Sequence, residues 1–314
     1  MRVYVQLALA DGERERVRSL AGGGPVWFAE PGALTDDDAR AFADAEVAVG
    51  NCPPEWVRSS ERLRWLQLAS VGVDAYLPLD WGTLGRRLTV TNLRGVFADP
   101  VAETCLAGVL AHLRGIDTLV RCRTTHTWDK LRLRPRLRLL TGTVVLVLGT
   151  GTISQRLCAL LEPFGCTVER YGRTSGEIRT TQELEARLPS ADVVVALLPD
   201  TPGTRGLLDA RRLGLLKPGA LFVNAGRGSV VDEEALVAAL DSGRLGGAVL
   251  DVTQQEPLPD GHPLWDCPNT ILTQHTAGGS DQEAARVLDI FTDNWRRYVG
   301  GEPLGGVVDW SLGY

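Results

Sequence analysis

Short apolar runs alternate with amphipathic stretches along almost the whole 314-residue chain. The runs are apolar on both faces, which is typical of strands in a parallel sheet that helices cover on both sides. Ten runs have this character: 3–9, 46–49, 63–69, 88–92, 143–148, 167–171, 192–197, 220–224, 247–250 and 270–273. They fall into two series, so the pattern predicts an α/β fold with two doubly wound parallel-sheet domains.

The composition restricts the partners that such a chain can have. The formal net charge is −6 and the pI is near 5.4, so the chain lacks the basic footprint of a nucleic-acid-binding protein. No apolar run is long enough to span a bilayer, and Met1 leads into a strand-like segment rather than a signal peptide. Six scattered cysteines show no metal-ligand spacing. We therefore expect a cytoplasmic protein without a metal site, a membrane partner or a nucleic-acid partner.

The first motif is a glycine-rich turn between the predicted strand 143–148 and a predicted helix 153–164. It reads Leu-Gly-Thr-Gly-Thr-Ile-Ser over residues 148–154. Such glycines permit a tight turn and a close approach of the backbone to a pyrophosphate, which the N–H groups at the start of the helix then bind. The third glycine of the usual dinucleotide fingerprint is replaced here by Ser154, a small residue that we expect to move the helix slightly outward.

Polar residues follow three later strands. Arg227 lies between Gly226 and Gly228 after the strand 220–224, and its planar guanidinium suits a carboxylate. Glu256 and His275 follow the next two strands. Because the ends of parallel strands meet at one edge of a sheet, a cation, a carboxylate and an imidazole can come together there. That set provides an anion clamp, a proton donor and a group that orients the donor.

At these residues the chain resembles the D-isomer-specific 2-hydroxyacid dehydrogenase family, which includes glyoxylate/hydroxypyruvate reductases. The likeness covers nearly the whole chain, although the family's usual Thr-Pro-His reads Thr-Gln-His at residues 273–275. It implies hydride transfer between NAD(P)H and a small 2-keto acid or D-2-hydroxy acid. It also implies a Rossmann cofactor domain, 96–276, inserted into a flavodoxin-like substrate domain, 1–95 and 277–314, with the active site in the cleft.

The resemblance implies roles for individual residues. His275 is expected to protonate the ketone oxygen, Glu256 to hydrogen-bond the imidazole, and Arg227 to bind the substrate carboxylate. The backbone N–H groups of Val71 and Gly72 are expected to hold the other side of that carboxylate. The expected cofactor contacts are Gly149, Thr150, Gly151, Thr152, Ile153, Arg173, Thr174, Leu198, Pro199, Thr204, Ala225, Gly226, Asp251 and His275.

The end of the second strand of the cofactor domain bears on the choice of cofactor. Folds that select NADH place an acidic residue there, which binds the ribose 2′-hydroxyl. The aligned residue in this chain is Gly172, and Arg173, Thr174 and Ser175 follow it. This pattern predicts a preference for NADP over NAD, unless Glu169 or Glu177 approaches the ribose instead.

The resemblance also implies a homodimer formed through the cofactor domain, in which Trp128 either packs locally or reaches the neighbouring subunit's site. The segment 130–138, where Leu and Arg alternate, is a solvated arm, an edge strand or a dimer contact. The alternative function is that of a cofactor-sensing binding protein, like the corepressors that share this fold. Turnover of a keto acid distinguishes the two.

Overall fold

The computed structural model describes residues 1–173 and 175–311. The chain divides into two compact units, one formed by Met1–Val96 with Ser280–Tyr314 and the other by Phe97–Gly279. The boundaries expected from the sequence lie between residues 95 and 96 and between residues 276 and 277. That the first unit binds the substrate and the second the cofactor remains a prediction from the sequence.

The first unit contains a five-stranded parallel sheet in the order β2-β1-β3-β4-β5. Its strands are β1 Val3–Gln6, β2 Val26–Ala29, β3 Val47–Gly50, β4 Trp65–Gln67 and β5 Thr89–Thr91. This is the flavodoxin-like strand order. The predicted strands did not include β2, a short strand at the edge of the sheet whose four residues are all apolar but of which only Ala29 is buried.

Helices cover both faces of this first sheet. They are α1 Asp11–Leu20, α2 Asp36–Ala43, α3 Pro54–Ser59, α4 Trp81–Leu84 and, from the end of the chain, α12 Glu283–Gly300. Side chains of α1 and α12 form one core cluster with β1, β3 and β4, and side chains of α2 and α3 form another on the opposite face. α12 is followed by Gly301, whose positive φ caps the carboxyl end of the helix.

The second unit contains a six-stranded parallel sheet in the order β11-β10-β9-β8-β6-β7. Its strands are β6 Val144–Leu148, β7 Thr167–Tyr171, β8 Val193–Ala196, β9 Ala220–Asn224, β10 Leu245–Leu250 and β11 Thr270–Leu272. Ile178 adds a single parallel bridge to Tyr171 beside β7. With that bridge counted as a third strand, the strand order is that of a dinucleotide-binding fold. Successive strands are added on one side of β6 up to the bridge and then, from β8 onward, on its other side, while all strands stay parallel.

The second unit's helices also lie on both faces. They are α5 Ala98–Leu113, α6 Ile116–Thr124, α7 Lys130–Leu133, α8 Thr152–Leu161, α9 Thr181–Arg187, α10 Ala210–Leu215 and α11 Glu233–Asp241. Along β6, Val145 and Val147 face the cluster that includes α5 and α8, whereas Leu146 and Leu148 face the cluster that includes α9, α10 and α11. Burial on both faces explains why these strands read as continuous apolar runs. The predicted α/β class with two parallel-sheet domains is confirmed.

The segment 130–138 is not an edge strand, so that alternative was wrong. It forms α7 and a 3-10 turn at Arg134–Arg136. Its end is fixed by Arg138, whose guanidinium donates to Asp192 Oδ1 over 3.0 Å. Within residues 1–173 and 175–311, no helix is both long enough and apolar enough to cross a bilayer.

Candidate active site

The polar residues that follow β9, β10 and β11 share one edge of the second sheet. These three strands are neighbours and run parallel, so their carboxyl ends lie side by side. Arg227 comes three residues after β9, Glu256 six residues after β10, and His275 three residues after β11. The structure thus brings the three predicted side chains to the same edge, where α/β folds bind their ligands.

His275 and Glu256 form a direct hydrogen-bonded pair. The imidazole Nδ1 lies 2.6 Å from Glu256 Oε2, and the other carboxylate oxygen accepts the backbone N–H of Thr253 over 3.1 Å. The carboxylate is therefore held from both sides. Because Nδ1 is committed to the carboxylate, Nε2 is the ring nitrogen that can exchange a proton with a substrate.

Asp251 fixes the loop that carries His275. Its Oδ1 accepts hydrogen bonds from Thr273 Oγ1 at 2.6 Å and from the backbone N–H groups of Thr276 and Ala277 at 3.0 and 3.1 Å. The φ of His275 is +57°, a left-handed conformation that costs free energy in a residue with a side chain. The buried carboxylate of Asp251 stabilises this turn. The sequence analysis did not predict this role, and contact between Asp251 and a nicotinamide stays a prediction.

The loop that carries Arg227 is fixed by its neighbours. Asn224 accepts the N–H of Gly226 over 3.1 Å and donates to the carbonyl of Arg227 over 3.0 Å. A Cβ atom at Gly226 would lie 2.6 Å from the carbonyl oxygen of Leu198, and one at Gly228 would overlap the carbonyl of Thr253. The two glycines therefore let the arginine loop pack directly on the adjacent loops.

A second ion pair borders the arginine loop. Arg205 binds both oxygens of Asp200, at 2.7 and 2.9 Å, and Ser229 donates to one of them over 2.9 Å. These hydrogen bonds, the one from Arg205 foremost, lower the pKa of Asp200, and the charge of Arg227 adds a smaller effect in the same direction. Asp200 is therefore a carboxylate at neutral pH, and Arg205 holds it in place.

The glycine-rich turn has the form of a phosphate cradle. Gly149 has a φ of +126°, and a Cβ atom there would lie 2.8 Å from the carbonyl oxygen of Leu197. α8 then begins at Thr152 without a side-chain cap on its N–H groups. Ser154 is buried in the first turn, and its hydroxyl has no hydrogen-bond partner in the described part of the chain. Residues 149–153 thus fit the pyrophosphate of a dinucleotide.

The end of β7 leaves no room for a side chain at Gly172. A Cβ atom there would lie 2.6 Å from Cγ2 of Thr150 and 2.7 Å from the carbonyl oxygen of Ser175. Arg173 is exposed to solvent, while Thr174, another predicted cofactor contact, lies outside the described residues. The usual acidic residue at position 172 is therefore both absent from the sequence and sterically excluded by the loops as they stand.

Both carboxylates near this strand end are paired with arginines. Glu177 binds the guanidinium and the backbone N–H of Arg170, at 2.9 and 2.8 Å, and the hydrogen bond from Arg170 is the main reason that its pKa is lowered to about 2. Glu169 lies 3.5 Å from Arg187. Each carboxylate is therefore oriented by an arginine rather than left free.

Other predicted contacts have partners within their own loops. Thr204 is buried, and its hydroxyl lies 2.6 Å from the Pro199 carbonyl and 2.9 Å from the Thr201 N–H, so in this structure it stabilises a loop. Leu198 is buried, and Ala225 is half-buried beside it. A direct contact of these residues with a cofactor stays a prediction.

Val71 and Gly72 lie in the first unit, in the loop after β4. Their carbonyl oxygens accept from Asn92 Nδ2 at 2.9 Å and from Ser70 Oγ at 2.8 Å, respectively. Among the described residues, neither of their N–H groups donates a hydrogen bond. A small cavity of about 50 Å³ adjoins this loop, and Arg94, which the sequence analysis did not single out, is part of its wall. These N–H groups are therefore suited to an anion.

A larger pocket, with a volume of about 480 Å³, lies beside the His275–Glu256 pair in the second unit. Its wall is formed by Leu250, Asp251, Thr253, Glu256, Pro257, Leu258, Trp265, Leu272, Gln274 and His275. The apolar part of this wall was not predicted from the sequence. No cluster of three His, Cys, Asp or Glu side chains that could hold a metal ion occurs in residues 1–173 and 175–311.

Comparison with known proteins agrees with this geometry. Residues 106–277 match the family described as D-isomer specific 2-hydroxyacid dehydrogenase, NAD binding domain. Glyoxylate/hydroxypyruvate reductase A of Photorhabdus laumondii is 32% identical over 281 residues, which are 86% of this chain and 88% of the relative.

Solved structures with similar folds match over the full length of the chain. A D-isomer specific 2-hydroxyacid dehydrogenase from Xanthobacter autotrophicus Py2, in complex with NADPH and MES, superposes with a TM-score of 0.82 at 30% identity and covers 100% of this chain and 99% of its own. An NADPH-dependent glyoxylate/hydroxypyruvate reductase from Sinorhizobium meliloti, in complex with NADP and sulfate, gives 0.81 at 28% identity with the same coverage. The chain belongs to the D-isomer specific 2-hydroxyacid dehydrogenase family of NAD(P)-dependent oxidoreductases.

Proposed function

We propose that this protein reduces a small 2-keto acid of the glyoxylate or hydroxypyruvate type to the corresponding 2-hydroxy acid, with NADPH as the preferred cofactor. The observation that carries the proposal is the His275–Glu256 pair, with 2.6 Å between Nδ1 and Oε2, at the sheet edge that also carries Arg227. A proton donor, its orienting carboxylate and a cation suited to a carboxylate are the groups that this reaction needs.

Each side chain has a distinct task in the proposed reaction. Residues 149–153 would hold the pyrophosphate of the cofactor, whose nicotinamide would supply the hydride for the carbonyl carbon. His275 Nε2 gives its proton to the carbonyl oxygen as negative charge develops there, and in the reverse direction Nε2 removes the hydroxyl proton. Glu256 keeps Nδ1 protonated and stabilises the charged imidazole. Arg227 binds the carboxylate of the substrate through its planar fork and holds the carbonyl beside His275.

The names of the relatives support the substrate class. The Photorhabdus relative and the Sinorhizobium structure are both named for reduction of glyoxylate and hydroxypyruvate. The two substrates share a carboxylate next to a carbonyl carbon and differ only by a hydroxymethyl group. The guanidinium of Arg227 suits the carboxylate, and the proton of His275 suits the carbonyl oxygen.

The preference for NADPH rests on the loop after β7. Position 172 cannot hold the carboxylate that would repel a 2′-phosphate, because Thr150 and the Ser175 carbonyl occupy its space. Glu177 and Glu169 are bound to arginines. Arg173 is exposed in the same loop and can offer its guanidinium to a 2′-phosphate.

The proposed assembly is a homodimer formed through the second unit. Eleven large apolar side chains are exposed in the described residues, and six of them lie between residues 116 and 139: Ile116, Leu119, Val120, Trp128, Leu131 and Leu139. Trp128 is 91% exposed, so packing within its own chain does not account for it. A second copy that covers this segment would bury a concentrated apolar surface.

The experiment that tests the proposed function is a substrate screen. The purified protein is assayed with NADPH and with NADH against glyoxylate, hydroxypyruvate, pyruvate and a branched 2-keto acid, and oxidation of the cofactor is followed. We expect the highest kcat/KM with glyoxylate or hydroxypyruvate and NADPH. Absence of turnover, combined with tight binding of the dinucleotide, would support a cofactor-sensing protein instead.

A further inference from the structure

A second carboxylate–imidazole pair lies in the same unit as the proposed active site. Glu233 is the first residue of α11 and is 7% exposed, and its Oε1 lies 3.1 Å from His262 Nε2. His262 Nδ1 accepts the backbone N–H of Leu264 over 3.2 Å. Because Nδ1 is an acceptor, Nε2 carries the proton and lies next to the Glu233 carboxylate. The two side chains are thus in close contact, and the tautomer of His262 is defined.

Glu233 uses its other oxygen to hold the loop that follows β10. Oε2 accepts the backbone N–H of Gln254 over 3.0 Å, and Gln254 Nε2 donates to the Val231 carbonyl over 2.8 Å. Glu233 therefore binds the loop with one oxygen and places the other beside the ring of His262. A carboxylate offers an acceptor at both ends, whereas one end of an amide is a donor.

The loop that Glu233 holds is the one that orients Glu256. Thr253, next to Gln254, donates its N–H to Glu256 Oε1, and the opposite oxygen of Glu256 binds His275. The carbonyl of Thr253 also packs directly on Gly228, beside Arg227. Hydrogen bonds thus tie Glu233 to the loop that contains Thr253 and tie Glu256 of that loop to the imidazole of His275, and His262 contacts Glu233 from the other side.

We infer that Glu233 and His262 are positioning residues that hold Glu256 against His275 Nδ1. The inference rests on the proposed function for its kinetic consequence, but the arrangement that it concerns can be measured without substrate. A buried carboxylate at the start of a helix is a rigid anchor for the loop, and its bond to the Gln254 N–H adds to the bond that Gln254 makes with the Val231 carbonyl. Neither residue touches the reacting atoms, so each acts through Glu256.

The first experiment compares two neighbouring glutamates of α11. Glu233→Gln removes one of the two acceptors, and Glu234→Gln makes the same change at an exposed position one residue later. We expect Glu233→Gln to lower kcat for keto-acid reduction by up to about 100-fold, the size of effect that a 1 Å misplacement produces, while cofactor KM stays near that of wild type. Glu234→Gln should match wild type in both constants.

Two substitutions of His262 distinguish its two contacts, the hydrogen bond that Nδ1 accepts from the Leu264 N–H and the contact of Nε2 with Glu233. His262→Asn keeps an acceptor for the Leu264 N–H but loses the donor to Glu233, whereas His262→Gln can keep that donor and loses the acceptor. If the inference holds, His262→Asn lowers kcat more than His262→Gln does. The opposite order would show that His262 matters only for the 3-10 turn at Pro263–Trp265.

A double-variant comparison tests whether Glu233 acts through Glu256. Glu233→Gln should reduce kcat in the wild-type background and have no further effect in a Glu256→Gln background, because the group that it positions is already changed. Two independent, multiplying effects would overturn the inference.

The last readout needs no activity. Long-range ¹H–¹⁵N spectra of protein labelled at its four histidines report the tautomer of each neutral ring. We expect the Nδ1–H form for His275 in wild type and in Glu234→Gln, and a mixture of tautomers in both Glu256→Gln and Glu233→Gln. An unchanged His275 in folded Glu233→Gln would overturn the inference. If that change is seen but wild type reduces no keto acid, the proposed function fails and the positioning stands.

Discussion

At the scale of single residues, the proposed chemistry depends on a few atoms that the backbone holds in fixed places. His275 takes a left-handed conformation, and Asp251 stabilises that turn with three hydrogen bonds to one oxygen. Arg227 is positioned by Asn224 and by glycines that allow close packing. Side chains held in this way lose little conformational freedom when a substrate binds.

Replacement of Arg227 by lysine tests the anion clamp. The charge is retained, but the planar fork that can make two parallel hydrogen bonds to a carboxylate is lost. We expect keto-acid KM to rise at least about tenfold, which corresponds to roughly 1.4 kcal/mol, and kcat to fall. Steady-state kinetics with the preferred keto acid measure both constants. Kinetics like those of wild type would show that Arg227 makes no bidentate contact.

At the scale of single elements, the strands were predictable because burial on both faces leaves a continuous apolar run. β7 and β9 begin and end at the predicted residues. β2 was missed although all four of its residues are apolar, and its position at the edge of the sheet leaves three of them only partly buried or exposed. The segment 130–138 was partly misread because alternating Leu and Arg fit both a strand and a short helix. The sequence could indicate Arg227, Glu256 and His275 because the ends of parallel strands converge. It could not indicate the roles of Glu233 and Asp251, because those roles depend on hydrogen bonds between loops.

The loop after β7 carries the prediction about the cofactor. Arg173→Ala should reduce the preference for NADPH over NADH in kcat/KM by about ten- to a hundredfold, since a charged hydrogen bond is worth roughly 1.5–3 kcal/mol. The change should come from a higher KM for NADPH. Arg58→Ala, an exposed arginine of the first unit, is the matched control.

Two kinetic results would contradict the role proposed for Arg173. If wild type prefers NADH, or if Arg173→Ala leaves the ratio unchanged, Arg173 does not bind the 2′-phosphate. Gly172→Asp is a poor substitute for this test, because its Cβ would collide with Thr150 and the Ser175 carbonyl and would disturb the turn for steric reasons alone.

At the scale of the whole molecule, the exposed apolar segment of the second unit predicts self-association. Val120 and Leu131 are 62% and 88% exposed. Replacing both by Asp should convert a dimer to a monomer in sedimentation equilibrium, because buried carboxylates without partners oppose association. Val299→Asp, a 59% exposed position in the first unit, should leave the dimer intact. A wild type that sediments as a monomer would contradict the proposed assembly.

In the proposed reaction, a hydride and the His275 proton are added to a 2-keto acid to give the D product. Reduction of hydroxypyruvate by NADPH, followed by chiral separation of the glycerate formed, measures the outcome. We expect D-glycerate alone from wild type, and a kcat lower by about 10²–10⁴-fold in His275→Ala with cofactor binding retained. Formation of L-glycerate or a racemate, or a His275→Ala variant as active as wild type, would contradict this proposal.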